Sequence, residues 1–151
     1  MTSSLASDTR TTPYGLFVLR LSLGTMWLAH GLLKLFAFGV AGFAGFLGSL
    51  GYPPFLAGPI IAAEVFGGLL ILLGIYGRQV SVLLLPVMAA AMLVHVPNGW
   101  LFSAPNGGWE YPAFLIAASV THVLAGEGAF ALRARPLLFW QERSSPQVRT
   151  A

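Results

Sequence analysis

The chain has 151 residues, of which 56% are hydrophobic and 9% are charged, and its formal net charge is +3. Soluble domains carry about 25% charged residues, so this composition excludes an ordinary water-soluble fold and favours the lipid bilayer as the surrounding partner. The basic residues are spaced singly, without an aromatic–basic patch, so nucleic acid is not an expected partner. The absence of cysteine excludes disulfides, thiolate metal sites and dithiol exchange chemistry.

Four apolar stretches, at about 14–38, 55–76, 80–96 and 111–126, predict four transmembrane helices. Continuous apolar runs, rather than alternation of apolar and polar residues, favour helices over a barrel. The sequence therefore predicts an all-α membrane four-helix bundle over residues 14–132. A polar N-terminal tail precedes it at 1–13, and a basic C-terminal tail follows it at 133–151.

The connections between the predicted helices contain turn-forming residues. A tight Gly77-Arg78-Gln79 turn joins the second and third helices as a hairpin. Between the first and second helices, glycines at positions 39, 42, 45, 48 and 51 alternate with large apolar residues. This segment is interpreted as either a short helix lying in the membrane interface or a mobile loop.

The distribution of lysine and arginine predicts that both termini are cytoplasmic. The loops at 39–54 and 97–110 contain neither residue, and Lys34 lies near their end of the bundle. The arginines that share the opposite end are Arg10, Arg78, Arg133, Arg135, Arg143 and Arg149. Trp100, Trp109 and Tyr111 are expected to form an aromatic belt at the outer interface, and Phe139 and Trp140 could anchor the tail inside.

Several ionisable residues fall within the apolar stretches, where a charge costs about 2.5–3.5 kcal/mol on insertion scales. Arg20, Trp27, His30 and Lys34 lie within a sector of about 80° on the first helix, so they share one face. Gly24 and Gly31 lie on or beside that stripe, so the same face is expected to permit the close approach of another helix.

Helical rise places Glu64, His30 and His95 at similar depths in the outer half of the bundle. We expect Lys34 and Glu110 to close the mouth above them, and Arg20, His30 and Lys34 are the candidate partners of the Glu64 carboxylate. Two hypotheses remain open: a buried polar network that only fixes helix packing, and an outward-opening cavity that binds a small molecule or relays protons.

Under the cavity hypothesis, Glu64 and His30 are the candidate catalytic residues. The candidate ligand-binding residues are Arg20, Trp27, Lys34, His95, Asn98 and Glu110. No metal site is expected, because methionines at helical spacing beside His95 are usually packing residues. His122 is interpreted as a packing or interfacial histidine.

An ordered set of short motifs over about residues 15–133 resembles the DoxX family of small bacterial membrane proteins. The motifs are Leu19-Arg20-Leu21 with Gly24, His30-Gly31, Lys34-Leu35-Phe36, Gly42-Phe43, Leu50-Gly51-Tyr52-Pro53, Ala63-Glu64, Gly67-Gly68-Leu69-Leu70, Leu73-Gly74 before Arg78, His95, Asn98-Gly99, Gly108 with Glu110, and Gly126-Glu127-Gly128. The chain departs from the family at its end, where Ala131-Leu132-Arg133 stands in place of a common Ser-Leu-Asp sequence.

The resemblance implies a four-helix fold in the bacterial inner (plasma) membrane and a role beside quinone-linked oxidoreductases. The leading hypothesis is therefore a redox subunit that binds a quinone or another small molecule, with electrons supplied by a partner redox subunit or a bound cofactor. The alternatives are a non-catalytic anchor or assembly subunit that uses the basic tail, and a small proton-coupled transporter. Four helices are few for a transporter protomer, so the last hypothesis requires a homo-oligomer.

Overall fold

The structure, a computed structural model, describes residues 10–132, and these form helices and connecting turns with no strand among them. The main helices are α1 (Thr12–Leu33), α2 (Gly39–Ser49), α3 (Ala57–Leu73), α4 (Gly77–His95) and α5 (Glu110–Ala125). Short 3₁₀ turns at Pro54–Leu56 and Val96–Asn98 precede α3 and follow α4. The C-terminal tail that was predicted to be basic, with Phe139 and Trp140, lies outside the described residues.

Three helical segments in the described range are long and apolar enough to cross a membrane: Thr12–Ser49, Pro54–Leu73 and Gly77–Asn98. The fourth apolar helix, α5, has 16 residues. Large side chains remain exposed along the outside of the helices, among them Leu83 at 74%, Phe114 at 69% and Leu124 at 69%. A lipid-facing surface accounts for this exposure, because acyl chains solvate apolar side chains that water would not.

The helix bundle has a continuous apolar core between α1, α3, α4 and α5. Its buried side chains are Leu23, Trp27, Ile71, Leu84, Met88, Leu115 and Ala118. A second, smaller cluster joins α2 to α3 through Phe43, Leu47, Ala57 and Ile61. Burial of these side chains fixes α2 against the bundle, so the segment between the first two predicted spans is helical.

Helices α1 and α3 cross at glycines, and this confirms the close approach that the Gly24 and Gly31 positions predicted. A Cβ added at Gly24 would lie 2.7 Å from the Leu72 backbone nitrogen, and one added at Gly68 would lie 2.5 Å from the Leu28 nitrogen. Both distances are shorter than van der Waals contact. The two backbones therefore approach as closely as they do because neither position carries a side chain.

Helix α1 ends earlier than the first apolar stretch does. It gives way at Lys34–Phe38 to one π-helical turn, and Gly39 at φ +68° begins α2. Widened turns of this kind change the direction in which side chains project and are frequent at functional sites. Lys34 is the first residue of this turn.

The start of α1, the α3–α4 turn and the segment after α5 meet at one end of the bundle. The Ala129 N–H donates to the Pro13 carbonyl at 2.8 Å, and the Leu132 N–H donates to the Leu73 carbonyl at 2.9 Å.

Helices α3 and α4 form the predicted hairpin, but the turn between them lies at residues 74–76, and the predicted turn residues Gly77 and Arg78 begin α4. Gly74 ends α3 in the left-handed conformation, at φ +67°, which allows the chain to turn before Gly77. This end of the bundle also carries Arg78. Its assignment to the cytoplasm stays a prediction, as does an interfacial position for α2.

Candidate binding cavity

A cavity of about 480 Å³ opens between the helices at the end of the bundle opposite the α3–α4 turn. Residues from α1 to α5 line it, and most of them are apolar. Its polar lining residues include His30, Lys34, Glu64, His95 and Tyr111. Three of the spans thus bring His30, Glu64 and His95 to one cavity, which is the convergence expected from helical rise.

The Glu64 carboxylate forms an ion pair with Lys34, one of its three candidate partners. Lys34 Nζ donates to both carboxylate oxygens, at 2.8 Å and 2.6 Å. The Glu64 side chain is only 3% exposed and that of Lys34 is 20% exposed. The ammonium also lies 5.5 Å from the centre of the Phe43 ring, so the π-helical turn, α2 and α3 all contribute to this charge arrangement.

His30 is oriented by its own helix and by α5. Its Nδ1 lies 2.9 Å from the Met26 carbonyl oxygen one turn earlier, and its ring stacks on Tyr111 with the ring centres 5.6 Å apart. A carbonyl oxygen accepts but cannot donate, so Nδ1 carries the hydrogen. In the neutral imidazole, Nε2 then holds the lone pair.

His95 is held in the same way by the loop between α4 and α5. Its Nδ1 lies 3.1 Å from the Asn106 carbonyl oxygen and 3.2 Å from that of Gly107. Asn98 Nδ2 donates to the same two carbonyls, at 3.2 Å and 2.8 Å. Asn98 therefore fixes the loop that orients His95, and it does not itself line the cavity.

Of the other candidate ligand-binding residues, Trp27 lines the cavity, whereas Glu110 and Arg20 do not. The indole Nε1 of Trp27 is buried without a hydrogen-bond partner in the described part of the chain. Glu110 does not line this cavity. Its carboxylate instead accepts the Phe102 backbone N–H at 2.7 Å, and this hydrogen bond fixes the outer loop. Arg20 lies near the opposite end of the bundle and donates to the Ala129 carbonyl at 3.1 Å.

Helix α2 supplies much of the apolar wall. Phe43, Phe46, Leu47 and Leu50 line the cavity from this helix, opposite residues of α4 that include Pro86. The glycines of α2 are interspersed with these large side chains. The helix therefore has little side-chain bulk at the glycine positions and covers the cavity with its large residues. This arrangement gives a deep apolar compartment with a few polar groups on its wall, as is typical of small-molecule sites.

A second polar cluster lies at the end of the bundle that carries Arg78. His122 is completely buried between Ser81 Oγ, 2.9 Å from its Nδ1, and Glu127 Oε2, 3.1 Å from its Nε2. Glu127 Oε1 also accepts the Arg78 backbone N–H at 2.8 Å. The packing role expected for His122 agrees with this burial, because the imidazole has no access to a substrate.

Glu127 is the negative centre of that cluster. Burial is the largest single effect and raises the pKa of its carboxyl. The hydrogen bond and charge of His122, the Arg78 N–H and the charge of Arg20 lower that pKa, and together they outweigh burial. The net pKa therefore lies below the ordinary value of 4.5. Glu127 thus remains ionised at neutral pH and connects α1, α4 and the segment after α5.

The sequence did not predict two contributions. Tyr111 was assigned to an aromatic belt, but its hydroxyl is buried and its ring lies against His30. Trp100 and Trp109 do pair at the outer loop, edge to face at 4.5 Å. Glu127 was noted only within its glycine motif, and its five-residue distance from His122 was the signal that could have identified their contact.

Comparison with known proteins agrees with the motif resemblance. The family model described as DoxX matches residues 15–96. A protein of Bacillus subtilis named "Putative oxidoreductase CatD" is 33% identical over 119 residues, covering 78% of this chain and 84% of the relative. An uncharacterised protein of Haemophilus influenzae is 33% identical over 122 residues, covering 80% and 89%. None of the solved structures matches the chain significantly.

Proposed function

This chain belongs to the DoxX family of membrane proteins, and we propose that it is a multi-pass inner-membrane subunit of a bacterial redox system that binds a quinone-like molecule in its cavity. The name of the Bacillus subtilis relative supports the redox assignment. On this proposal α5 is the fourth span, and the end that carries Arg78 faces the cytoplasm.

The single observation that supports the proposal most strongly is the position of the Lys34–Glu64 pair on the wall of an apolar cavity. A buried ion pair whose role is only to fix helix packing does not need to adjoin a cavity. This pair instead lines a compartment of about 480 Å³ together with His30 and His95. Such a volume lies within the range of small-molecule sites, roughly 300–1,000 Å³.

The lining suits a ligand with an apolar ring and polar groups at its edge. Aromatic side chains from α2 provide stacking surface, and His30, Lys34 and Glu64 provide hydrogen-bonding groups and proton carriers. Interconversion of a quinone and its quinol moves two electrons and two protons. The chain would position the ring and exchange the protons, while a partner subunit or bound cofactor supplies the electrons.

A cavity-filling substitution tests the proposal. Ala91 lines the cavity and Ala89 does not, although both lie on α4. We expect purified protein in lipid nanodiscs to bind decylubiquinone with quenching of tryptophan fluorescence, since Trp27 lines the site. Ala91→Phe should abolish saturable quenching, and the matched variant Ala89→Phe should retain it. Equal quenching in both variants would exclude the cavity as the site.

A further inference from the structure

The two cavity histidines are fixed in the same tautomer. His30 Nδ1 faces the Met26 carbonyl, and His95 Nδ1 faces the Asn106 and Gly107 carbonyls. These main-chain oxygens only accept hydrogen bonds, so both rings carry their hydrogen on Nδ1. The neutral rings therefore offer Nε2 only as a hydrogen-bond acceptor.

Both Nε2 atoms remain available for a ligand. Over residues 10–132, no hydrogen bond ends on Nε2 of His30 or His95. The buried polar side-chain atoms without a partner in that range belong to Arg20, Trp27, Tyr111 and Ser119. The two histidine Nε2 atoms are thus neither bonded nor sealed from contact within that range, and both residues line the cavity.

The remaining polar groups of the cavity wall offer a ligand more hydrogen-bond acceptors than donors. The Glu64 carboxylate is an acceptor that lines the cavity. Two of the three N–H groups of Lys34 are used by that carboxylate, which leaves one. Trp27 and Tyr111 also line the cavity, but the indole N–H and the phenol hydroxyl themselves are buried, so the open wall presents neither donor.

From this arrangement we propose that the cavity selects a ligand that presents hydroxyl donors, so that it binds the dihydroxy (quinol) form of a quinone pair more tightly than the dicarbonyl form. The hydroxyl groups donate to Nε2 of His30 and of His95. A dicarbonyl ligand brings only acceptors to these lone pairs and leaves both Nε2 atoms without a hydrogen bond. This inference rests on the proposed function, because it concerns the ligand of the same cavity.

The preference for the quinol over the quinone distinguishes this cavity from a site built to reduce a quinone. A site built to reduce a quinone would be expected to present donors to the carbonyl oxygens, whereas this wall presents acceptors. Each neutral hydrogen bond of this kind changes affinity about 2- to 10-fold. Two such bonds predict a preference for the reduced form of roughly 5-fold or more.

Equilibrium binding to the full chain in lipid nanodiscs tests the inference. Decylubiquinol under argon and decylubiquinone are each titrated against wild type, His30→Phe and His30→Gln. Phe keeps a ring beside Tyr111 and removes the acceptor, while Gln restores a carbonyl acceptor near the position of Nε2. We expect wild type to bind the quinol more tightly, His30→Phe to lower the ratio of quinol to quinone affinity about 2- to 10-fold, and His30→Gln to recover part of that ratio.

The outcomes distinguish failure of the quinol preference from failure of the proposed function. Equal affinities, or tighter binding of the quinone by wild type, would overturn the donor preference and leave the cavity as a binding site. Parallel loss of both affinities in His30→Phe would also overturn it, since the acceptor role would then be indistinguishable from packing. Failure of wild type to bind either form saturably would overturn the proposed function itself.

Discussion

Lys34 Nζ lies 2.8 Å and 2.6 Å from the two carboxylate oxygens of Glu64, and this pair connects the π-helical turn after α1 to α3 at the wall of the cavity. The Glu64 side chain is 3% exposed, so loss of the ammonium would leave a buried negative charge. The pair therefore both stabilises the bundle and determines the charge at the candidate site.

Removal of one partner of this pair is expected to cost more than removal of both. Lys34→Met or Glu64→Gln alone should destabilise the folded protein by on the order of 3 kcal/mol, because each leaves the other group without its counter-ion. The double variant should be more stable than the sum of the single effects predicts. Thermal unfolding in mild detergent measures this, and simple additivity would show that the two groups do not interact energetically.

The glycine crossing of α1 and α3 predicts a sharp difference between two substitutions on one helix. Gly68→Ala would place a Cβ 2.5 Å from the Leu28 nitrogen, a backbone atom that cannot rotate away. Gly58→Ala meets nothing within 4 Å. We expect Gly68→Ala to lower the unfolding temperature, and Gly58→Ala to be neutral or to stabilise by up to about 1 kcal/mol. Similar stabilities of the two variants would contradict the described crossing.

Tyr111 provides a separate test of the cavity wall. Its hydroxyl is buried without a partner in residues 10–132, while its ring stacks on His30. Tyr111→Phe should therefore leave stability unchanged or raise it, since an unsatisfied buried hydroxyl is removed. Quinol affinity should also be unchanged, whereas Tyr111→Ala should reduce both. A marked loss of quinol binding in Tyr111→Phe would show that the hydroxyl reaches the ligand.

Stability at acidic pH should depend on Glu127. Its pKa is lower in the folded protein than the ordinary value of 4.5, so the ionised carboxylate stabilises the folded state at neutral pH. That contribution is lost as the pH falls below about 4.5 and through the lower folded pKa. Unfolding temperatures measured from pH 7 to pH 3 should fall less steeply in Glu127→Gln than in wild type. Parallel curves would show that Glu127 does not contribute.

The sequence was sufficient to predict helices at the four apolar stretches, because long apolar runs interrupted by glycine and proline leave few other structures in a bilayer. Helical spacing also brought His30, Glu64 and His95 to similar depths, and the structure places all three on one cavity. The depth of each residue in the bundle could not predict which candidate pairs with Glu64, because the pairing depends on which side chain reaches across the α1–α3 crossing. Arg20, on the same face as Lys34, lies too near the other end.

The hydrogen bonds that fix the histidines could not be predicted from spacing. His95 is oriented by the Asn106 and Gly107 carbonyls in an irregular loop, whose path follows from turn geometry and from the Glu110 contact with the Phe102 N–H. The position of α2 was also open, because its glycine-rich sequence fits a loop or a helix. Its contacts with α3 through Phe43 and Leu47 decide in favour of a helix.

Photoaffinity labelling in native membranes distinguishes quinone binding in the cavity from binding at the lipid-facing surface. A photoactivatable quinone analogue is irradiated with the protein, with and without excess decylubiquinone, and the labelled peptides are identified by mass spectrometry. If the quinone binds in the cavity, the competitor should suppress labelling at cavity residues of α1, α2 and α4, such as Leu33, Phe46 and Ala91. Labelling confined to lipid-facing residues such as Leu83 and Phe114, and unchanged by the competitor, would contradict binding in the cavity.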